Sequence, residues 1–309
     1  MWSDRVSRMK IEKILVVHRR SAYTDLVSER KHKKIARLVR SGDPLVRGIV
    51  EAHENHAASM QKVKAILKAR RLFAEWRHHI DDLDPDAFDL VIAVGGDGTV
   101  LHASHAIGET PVVAVNSSPH TSVGFFTGSD ADHFGLLIDQ VLAGRARPIA
   151  LSRMQVAVAG EVVTKRALND VLFCHDCPAS TTRYRLTFDG RSEDQVSSGV
   201  WVATAAGSTG GIRWAGGKVM PPRSRRLQFI VRESNPLAGK DVWRTPSLTH
   251  GFVPDKGALA IRSKTDVARL YVDGPHLVFP VDFGDEVVLS RSDSPLHLFG
   301  YNPKADRFS

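Results

Sequence analysis

Residues 90–99 read LVIAVGGDGT, and this stretch decides the fold. The apolar run Leu90 to Val94 is bounded upstream by the breakers Asp84, Pro85 and Asp86, and it reads as a strand buried on both faces. It runs without a spacer into Gly95, Gly96, Asp97, Gly98 and Thr99, and Val100 to Ile107 reads as the helix that follows. Parallel α/β sheets bind ligands at such a strand-to-helix turn. The glycines let the backbone approach a phosphate, their amides form an anion cradle, and the helix adds its positive end. There is no lysine of the P-loop type. A carboxylate inside an anion cradle repels phosphate unless it holds a cation or meets a hydroxyl. Asp97 therefore points to phosphoryl transfer, with Mg²⁺ bridging the phosphates of a nucleoside triphosphate and Asp97 facing an acceptor alcohol. The bland alternative is a tight turn in which Asp97 merely caps the helix.

Outward from this loop the alternation continues. Ile14 to His18 reads as a buried strand, Ser28 to Arg40 and Ile49 to Arg71 as helices separated by Ser41, Gly42, Asp43 and Pro44, and Pro111 to Val115 as the next strand. A helix from Asp130 to Leu142 stops at Gly144, with Pro148 beyond it. Residues 1–148 are thus expected to form an α/β domain with a largely parallel sheet. Beyond them Gln155 to Val158, Arg183 to Phe188, Val200 to Thr204 and Ala268 to Val272 alternate between Gly, Asp and Ser turns, so 149–285 is expected to be a β-rich domain.

Composition narrows the function classes. The chain has 309 residues, ordinary globular composition and a formal net charge of +8, which favours an anionic partner without naming it. Much of the excess lies in Lys31 to Arg47 and Lys62 to Arg77, where Ile35, Leu38, Val39, Met60, Val63 and Leu67 recur at helical spacing. These read as solvated helix faces, since no aromatic residues interleave the first cluster as a nucleic-acid platform requires. Early apolar runs such as Ile14 to Val17 fall short of a signal core or membrane span, so a cytoplasmic protein with no membrane partner is expected. Cys174 and Cys177 are too few ligands for structural zinc and read as reduced thiols; no resident metal site is expected.

Two further clusters carry chemistry. Ala205, Ala206, Gly207, Ser208, Thr209, Gly210 and Gly211 follow an apolar strand, and the hydroxyls of Ser208 and Thr209 can donate to phosphate or ribose oxygens. A small-residue turn of a β domain is the alternative. Asn169 and Asp170 interrupt the apolar stretch Ala167 to Phe173 and suit a ribose diol, or a turn. His102 and His105, and Arg213, Arg223, Arg225 and Arg226, read as surface or packing residues, with phosphate contacts as the alternative.

Together these motifs resemble the NAD kinase family over about 220 residues. The carriers are GGDGT, the loop V-N-S with Val123 to Thr127 (VGFFT), LND at 168–170 and AAGST at 205–209. LHASH at 101–105, ALND at 167–170 and LQFIVRE ending at Glu233 are similar to the plant NADH kinase branch. GGDGT alone is shared with phosphofructokinases and lipid kinases. The resemblance implies an N-terminal α/β domain, a β-rich C-terminal domain, a final segment within 286–309 returning to the first, and a homo-oligomer. It implies transfer from ATP to the adenosine 2′-hydroxyl of NAD or NADH, with Asp97 as the acid-base residue. Gly98 and Phe125 would line the adenosine end, Asn169 and Asp170 would hold ribose hydroxyls, and Thr209 would lie near the adenine. The chain departs from the common family pattern at Asp170 (glutamate there), at Ser198 (aspartate) and at Thr209, Gly210 and Gly211 (Thr-Ala-Tyr). An uncharged Ser198 near the nicotinamide, and a lost tyrosine at Gly211, would bear on the choice between NAD and NADH. The rival readings are a lipid kinase sharing GGDGT and a non-catalytic basic nucleotide- or nucleic-acid-binding protein on this scaffold.

Overall fold

The computed structural model describes residues 10–78, 80, 84–119, 124–238, 243–244, 246–275 and 277–301. Val123 of the second loop motif lies outside them. The chain divides into two compact units, 1–149 with 297–309, and 150–296.

In the first unit β1 (Ile14–His18), β2 (Ala74–Arg77), β3 (Leu90–Gly95) and β4 (Val112–Asn116) pair in parallel in the order β2-β1-β3-β4. Leu296–Phe299 joins β4, also in parallel, with Leu298 opposite Val112; Ile149–Leu151 lies beyond it, and Ser129–Asp130 pairs with the end of β4. Continuous burial of β3 and β4 is why their sequences are apolar without alternation. The helices are α1 (Lys33–Arg40), α2 (Arg47–Ala69), α3 (Asp97–Ala106) and α4 (Phe134–Leu142). Val63 and Leu67 of α2 and Phe134, Ile138 and Val141 of α4 pack with Val16, Ile92, Val94 and Val115 of the sheet.

Local chemistry moves several boundaries. The expected helix Ser28 to Arg40 is split: a wide turn at Thr24–Glu29 ends before Lys31, whose φ of 49° no helix accommodates, and α1 starts afresh after His32. The helix expected from Asp130 begins at Phe134, because the Asp130 carboxylate accepts the amides of Asp132 (3.0 Å) and His133 (2.9 Å) in a turn. α1 buries none of its residues and α2 only Ser59, Val63 and Leu67, so the basic clusters ride on exposed helix faces.

Among the described residues the second unit is a sandwich of two six-stranded antiparallel sheets, with Leu237–Ala238 and Trp243–Arg244 as a separate antiparallel pair. One holds Met154–Val158, Thr182–Phe188, Ala258–Ser263 and Glu286–Arg291 among its strands; the other runs His250–Val253, Leu227–Val231, Val200–Ala203, Asp170–His175, Ala268–Val272, Leu277–Val281. Val156, Leu186, Ile261 and Leu289 from the first meet Val171, Phe173, Val202, Phe229 and Leu270 from the second in one core. Residues alternate inward and outward along each strand, and that pleat leaves Asp170, Leu172 and Cys174 on the outer face of the second sheet.

Candidate active site

In the first unit the carboxyl end of β3 delivers the loop. Gly95 has a steric reason to be glycine: a Cβ there would stand 2.1 Å from the Thr99 hydroxyl, which folds back beneath it. Thr99 is buried, and its Oγ1 has no protein partner among the described residues. Gly98 is exposed and faces open space, so a ligand can approach the loop there. Gly96 caps α3 and Asp97 opens it, where the helix dipole favours a negative charge.

Asp97 is half-buried, and its two oxygens accept the amides of Phe125 (2.8 Å) and Phe126 (2.7 Å). Burial raises its pKa above the usual carboxylate range, and the Phe126 and Phe125 amides oppose that. An ionised carboxylate has about four lone-pair sites, so each oxygen keeps capacity for a hydroxyl or a cation. The Phe125 ring meets Phe126 and Tyr301 edge-on at 5.6 and 6.1 Å. Sequence reading placed Asp97 and Phe125 in the site, but not the hydrogen bond that ties one to the other.

In the second unit the structure brings Asn169, Asp170, Gly207 and Gly210 together. A Cβ on Gly207 would stand 1.9 Å from the Asn169 carbonyl, so only glycine lets the two turns nest. A Cβ on Gly210 would lie 3.3 Å from both Asn169 Nδ2 and Asp170 Oδ2, and Asn169 donates to Asp170 at 3.1 Å. Thr209 is half-buried beside them. Ser208 lies deeper in the turn. It is fully buried, its hydroxyl donates to the Ala205 carbonyl (2.7 Å) and accepts the Met220 amide (2.9 Å), and this ties the turn down. Ser198 sits farther along, at the end of Arg191–Ser197, half-buried.

Sequence reading missed Asp273 and Thr204. Asp273 accepts the amides of Leu168 (2.8 Å), Asn169 (2.7 Å) and Asp170 (3.0 Å), and so shapes the turn that presents the Asn-Asp pair. Its one sequence signal is the Asp-Gly step that ends the strand Ala268–Val272. Burial pushes its carboxyl up to about 6 against those three amides. Burial, and then the charge of Asp273, push Asp170 up to about 7. Thr204 is buried and donates to the Leu168 carbonyl at 2.5 Å, clamping the same turn from the strand before the small-residue loop.

The remaining residues fall outside this cluster. His102 is exposed on α3. Arg225 pairs with Asp255 at 3.1 Å, and Arg226 lies 4.3 Å over the Phe252 ring. Cys174 and Cys177 are free thiols, and among the described residues no group of three or more His, Cys, Asp or Glu side chains could hold a metal.

Residues 14–146 match the family model for the ATP-NAD kinase N-terminal domain. A probable NADH kinase of Oryza sativa subsp. japonica is 36% identical over 230 residues, covering 67% of this chain and 69% of that protein. An NADH kinase of Arabidopsis thaliana is 37% identical over 235 residues, 68% and 72% of the respective chains. The chain belongs to the NAD kinase family. The fold agrees: an Archaeoglobus fulgidus NAD kinase in complex with ATP superposes with a TM-score of 0.66 at 19% identity, over 96% of this chain and 97% of that one. A yeast NADH kinase complexed with NADH gives 0.66 at 18%, over 97% and 86%. The parallel sheet and the antiparallel sandwich of this chain are thus a fold shared with solved NAD kinases. No helix among the described residues is long and apolar enough to cross a membrane.

Proposed function

We propose that this protein transfers the terminal phosphoryl group of ATP to the adenosine 2′-hydroxyl of NAD or NADH, giving NADP or NADPH. The observation that carries the reading is Asp97. In a chain of the NAD kinase family, it stands at the strand-to-helix turn with both oxygens held by the Phe125 segment.

A sugar hydroxyl is far too weak an acid for a carboxylate to ionise before attack. In a loose phosphoryl-transfer transition state the nucleophile needs little charge. Asp97 therefore orients the hydroxyl and accepts its proton as the bond to phosphorus forms. Burial makes it a stronger proton acceptor than a free aspartate. Gly98 and Phe125 line the adenosine end, Asn169 and Asp170 hold ribose hydroxyls, and Thr209 lies near the adenine. Mg²⁺ fits this donor set only as a cation carried by the triphosphate, with Asp97 as the one carboxylate at the loop, the usual manner of phosphate-bound magnesium. Its chemistry there is neutralisation of phosphate charge. Positioning and charge neutralisation supply most of the rate.

The same reading makes the protein a cytoplasmic homo-oligomer, and light scattering checks the second part. The activity test is incubation with ATP, Mg²⁺ and NAD or NADH, followed by chromatography. NADP or NADPH is expected; absence of both, with diacylglycerol or sphingosine phosphorylated instead, would overturn the reading in favour of a lipid kinase.

A further inference from the structure

α1 is amphipathic without being buried. None of its eight residues is fully covered, and its apolar side, with Ile35 and Leu38, is only half-buried. On the opposite side stand Lys33, Arg37 and Arg40, the i, i+4, i+7 stripe that a helix normally lays against a core.

Between this helix and the wide turn Thr24–Glu29 lies a groove of about 590 Å³. Tyr23, Val27, Ala36 and Val39, all half-buried, give it an apolar lining. Lys31, Lys33, Arg37 and Arg40 give it four cations, and among the described residues no carboxylate lines it. Its wall is anchored: the Tyr23 ring stacks on His53 of α2 at 4.7 Å and 18°, and Ser21 Oγ and His53 Nδ1 share a hydrogen bond of 2.7 Å.

The nearby carboxylates are engaged elsewhere. Glu29 pairs with Arg20, Asp25 pairs with Arg30 at 3.3 Å, and Asp43, beyond the helix, accepts the Leu45 amide at 2.9 Å. Among the described residues no salt bridge takes Lys31, Lys33, Arg37 or Arg40. Lys33 and Arg37 are a like-charged i, i+4 pair, which by itself weakens a helix. An anionic partner turns that cost into attraction.

Lys33 to Arg40 spans about 10 Å of helix axis. Over two turns a facing helix offers carboxylates at the same i, i+4 spacing, with apolar residues beside them. Two other polyanions fit less well. The Tyr23 ring is already stacked on His53, so it is no platform for a nucleic-acid base. The lining holds no Trp, Phe or Leu to enter a bilayer.

We propose that this groove docks an acidic amphipathic helix of another protein, whose carboxylates meet Lys33, Arg37 and Arg40 and whose apolar side chains sit over Val27, Ala36 and Val39. The inference does not depend on the phosphoryl-transfer reading.

The test uses the full-length protein and fluorescence anisotropy of a labelled helix-forming peptide of about 15 residues, with glutamates at i, i+4 beside a leucine stripe. It is compared with a scrambled peptide of the same composition, a single-stranded oligothymidylate and phosphatidylserine vesicles, at an ionic strength of about 0.15 M. Wild type is expected to bind the amphipathic peptide at least about tenfold more tightly than the scrambled one. Arg37→Glu with Arg40→Glu should weaken that binding about tenfold or more. Lys64→Glu with Lys68→Glu, the same charge change on α2 outside the groove, should stay within about twofold. All four side chains are exposed, and a melting curve checks that each variant folds. If the reversed pair melts early, Arg37→Gln with Arg40→Gln makes the same comparison. A peptide with lysines in place of its glutamates should bind the Arg37→Glu, Arg40→Glu protein better than wild type. Equal binding of the scrambled peptide, or equal losses in the two reversed pairs, would overturn the inference in favour of general charge attraction. Tighter binding of oligothymidylate or vesicles than of the peptide, lost only in the Arg37 and Arg40 variants, would overturn it in favour of nucleic acid or a membrane.

Discussion

Both oxygens of Asp97 accept backbone amides, so the residue proposed to take the acceptor's proton also holds the Phe125–Phe126 segment in place. Asp97→Asn presents an amide nitrogen to one of those N–H groups, a loss of about 1 to 3 kcal/mol for the unsatisfied donor. It also removes the proton acceptor, which lowers turnover by about a hundredfold or more. The expected outcome is a lower melting temperature together with kcat down by at least that factor; near-wild-type kcat would remove Asp97 from the chemistry. At this scale the sequence was informative where a residue type is unusual for its surroundings. Asp97 among glycines and Asn169–Asp170 among apolar residues stood out for that reason. Asp273 and Thr204 did not, because a carboxylate that accepts three amides from a segment about a hundred residues away has no local signature. Ser208 shows the ambiguity of such a signal: a hydroxyl beside glycines suits a ligand and a turn equally, and here its hydroxyl bonds within the turn.

Among the elements, the buried strands were legible because a sheet covered on both faces demands uninterrupted apolar residues, and β1 begins and ends at Ile14 and His18 as read. Helix starts were less so. Their positions depend on single side-chain turns, such as the Asp130 carboxylate, and on the left-handed Lys31, which composition does not disclose. The most consequential element contact is between the end of Val200–Ala203 and the start of Asp170–His175. There the Thr204 hydroxyl donates to the Leu168 carbonyl, and the Thr204 amide to that of Asn169 at 3.0 Å. Thr204→Val keeps the shape and deletes the hydroxyl, leaving a buried carbonyl short of a donor at about 1 to 3 kcal/mol. If that clamp presents the Asn-Asp pair, the variant should raise KM for the dinucleotide severalfold while KM for ATP and kcat change little. Thr204→Ser, which restores the donor, should recover most of the loss. Equal effects of both variants would assign Thr204 to packing alone.

On the scale of the whole molecule, the buried imidazoles of the first unit and the buried carboxyl pair of the second shift with opposite signs, while Asp97 of the first unit is raised like that pair. In the first unit His18 is lowered to about 4 by burial and then by the charges of His78 and His56, and His56 is lowered chiefly by burial. A native imidazole that stays neutral while the unfolded chain takes up a proton loses stability as pH falls from the unfolded value of 6.5 toward 4. In the second unit Asp170 and Asp273 are raised above the ordinary aspartate value of 3.8, to about 7 and about 6. Native carboxyls that hold protons longer than unfolded ones stabilise fully below pH 3.8, and that stability is lost as pH rises through the folded values. A single carboxyl shifted from about 4 to about 7 accounts for about 4 kcal/mol once ionised, an upper figure for a pair that shares its penalty. Between about pH 4 and 6.5 the imidazoles of the first unit and the carboxyl pair of the second therefore contribute in opposite directions. Hydrogen exchange read by mass spectrometry resolves them, and lowering the pH from 7 to 5 should weaken protection in β1, β3 and β4, after correction for intrinsic exchange, and strengthen it in Asp170–His175 and Val200–Ala203. Asp170→Asn, which cannot ionise, should flatten the second response and leave the first intact. Parallel changes in both units, or a second response that survives Asp170→Asn unaltered, would show that the buried carboxyl pair does not govern the sandwich.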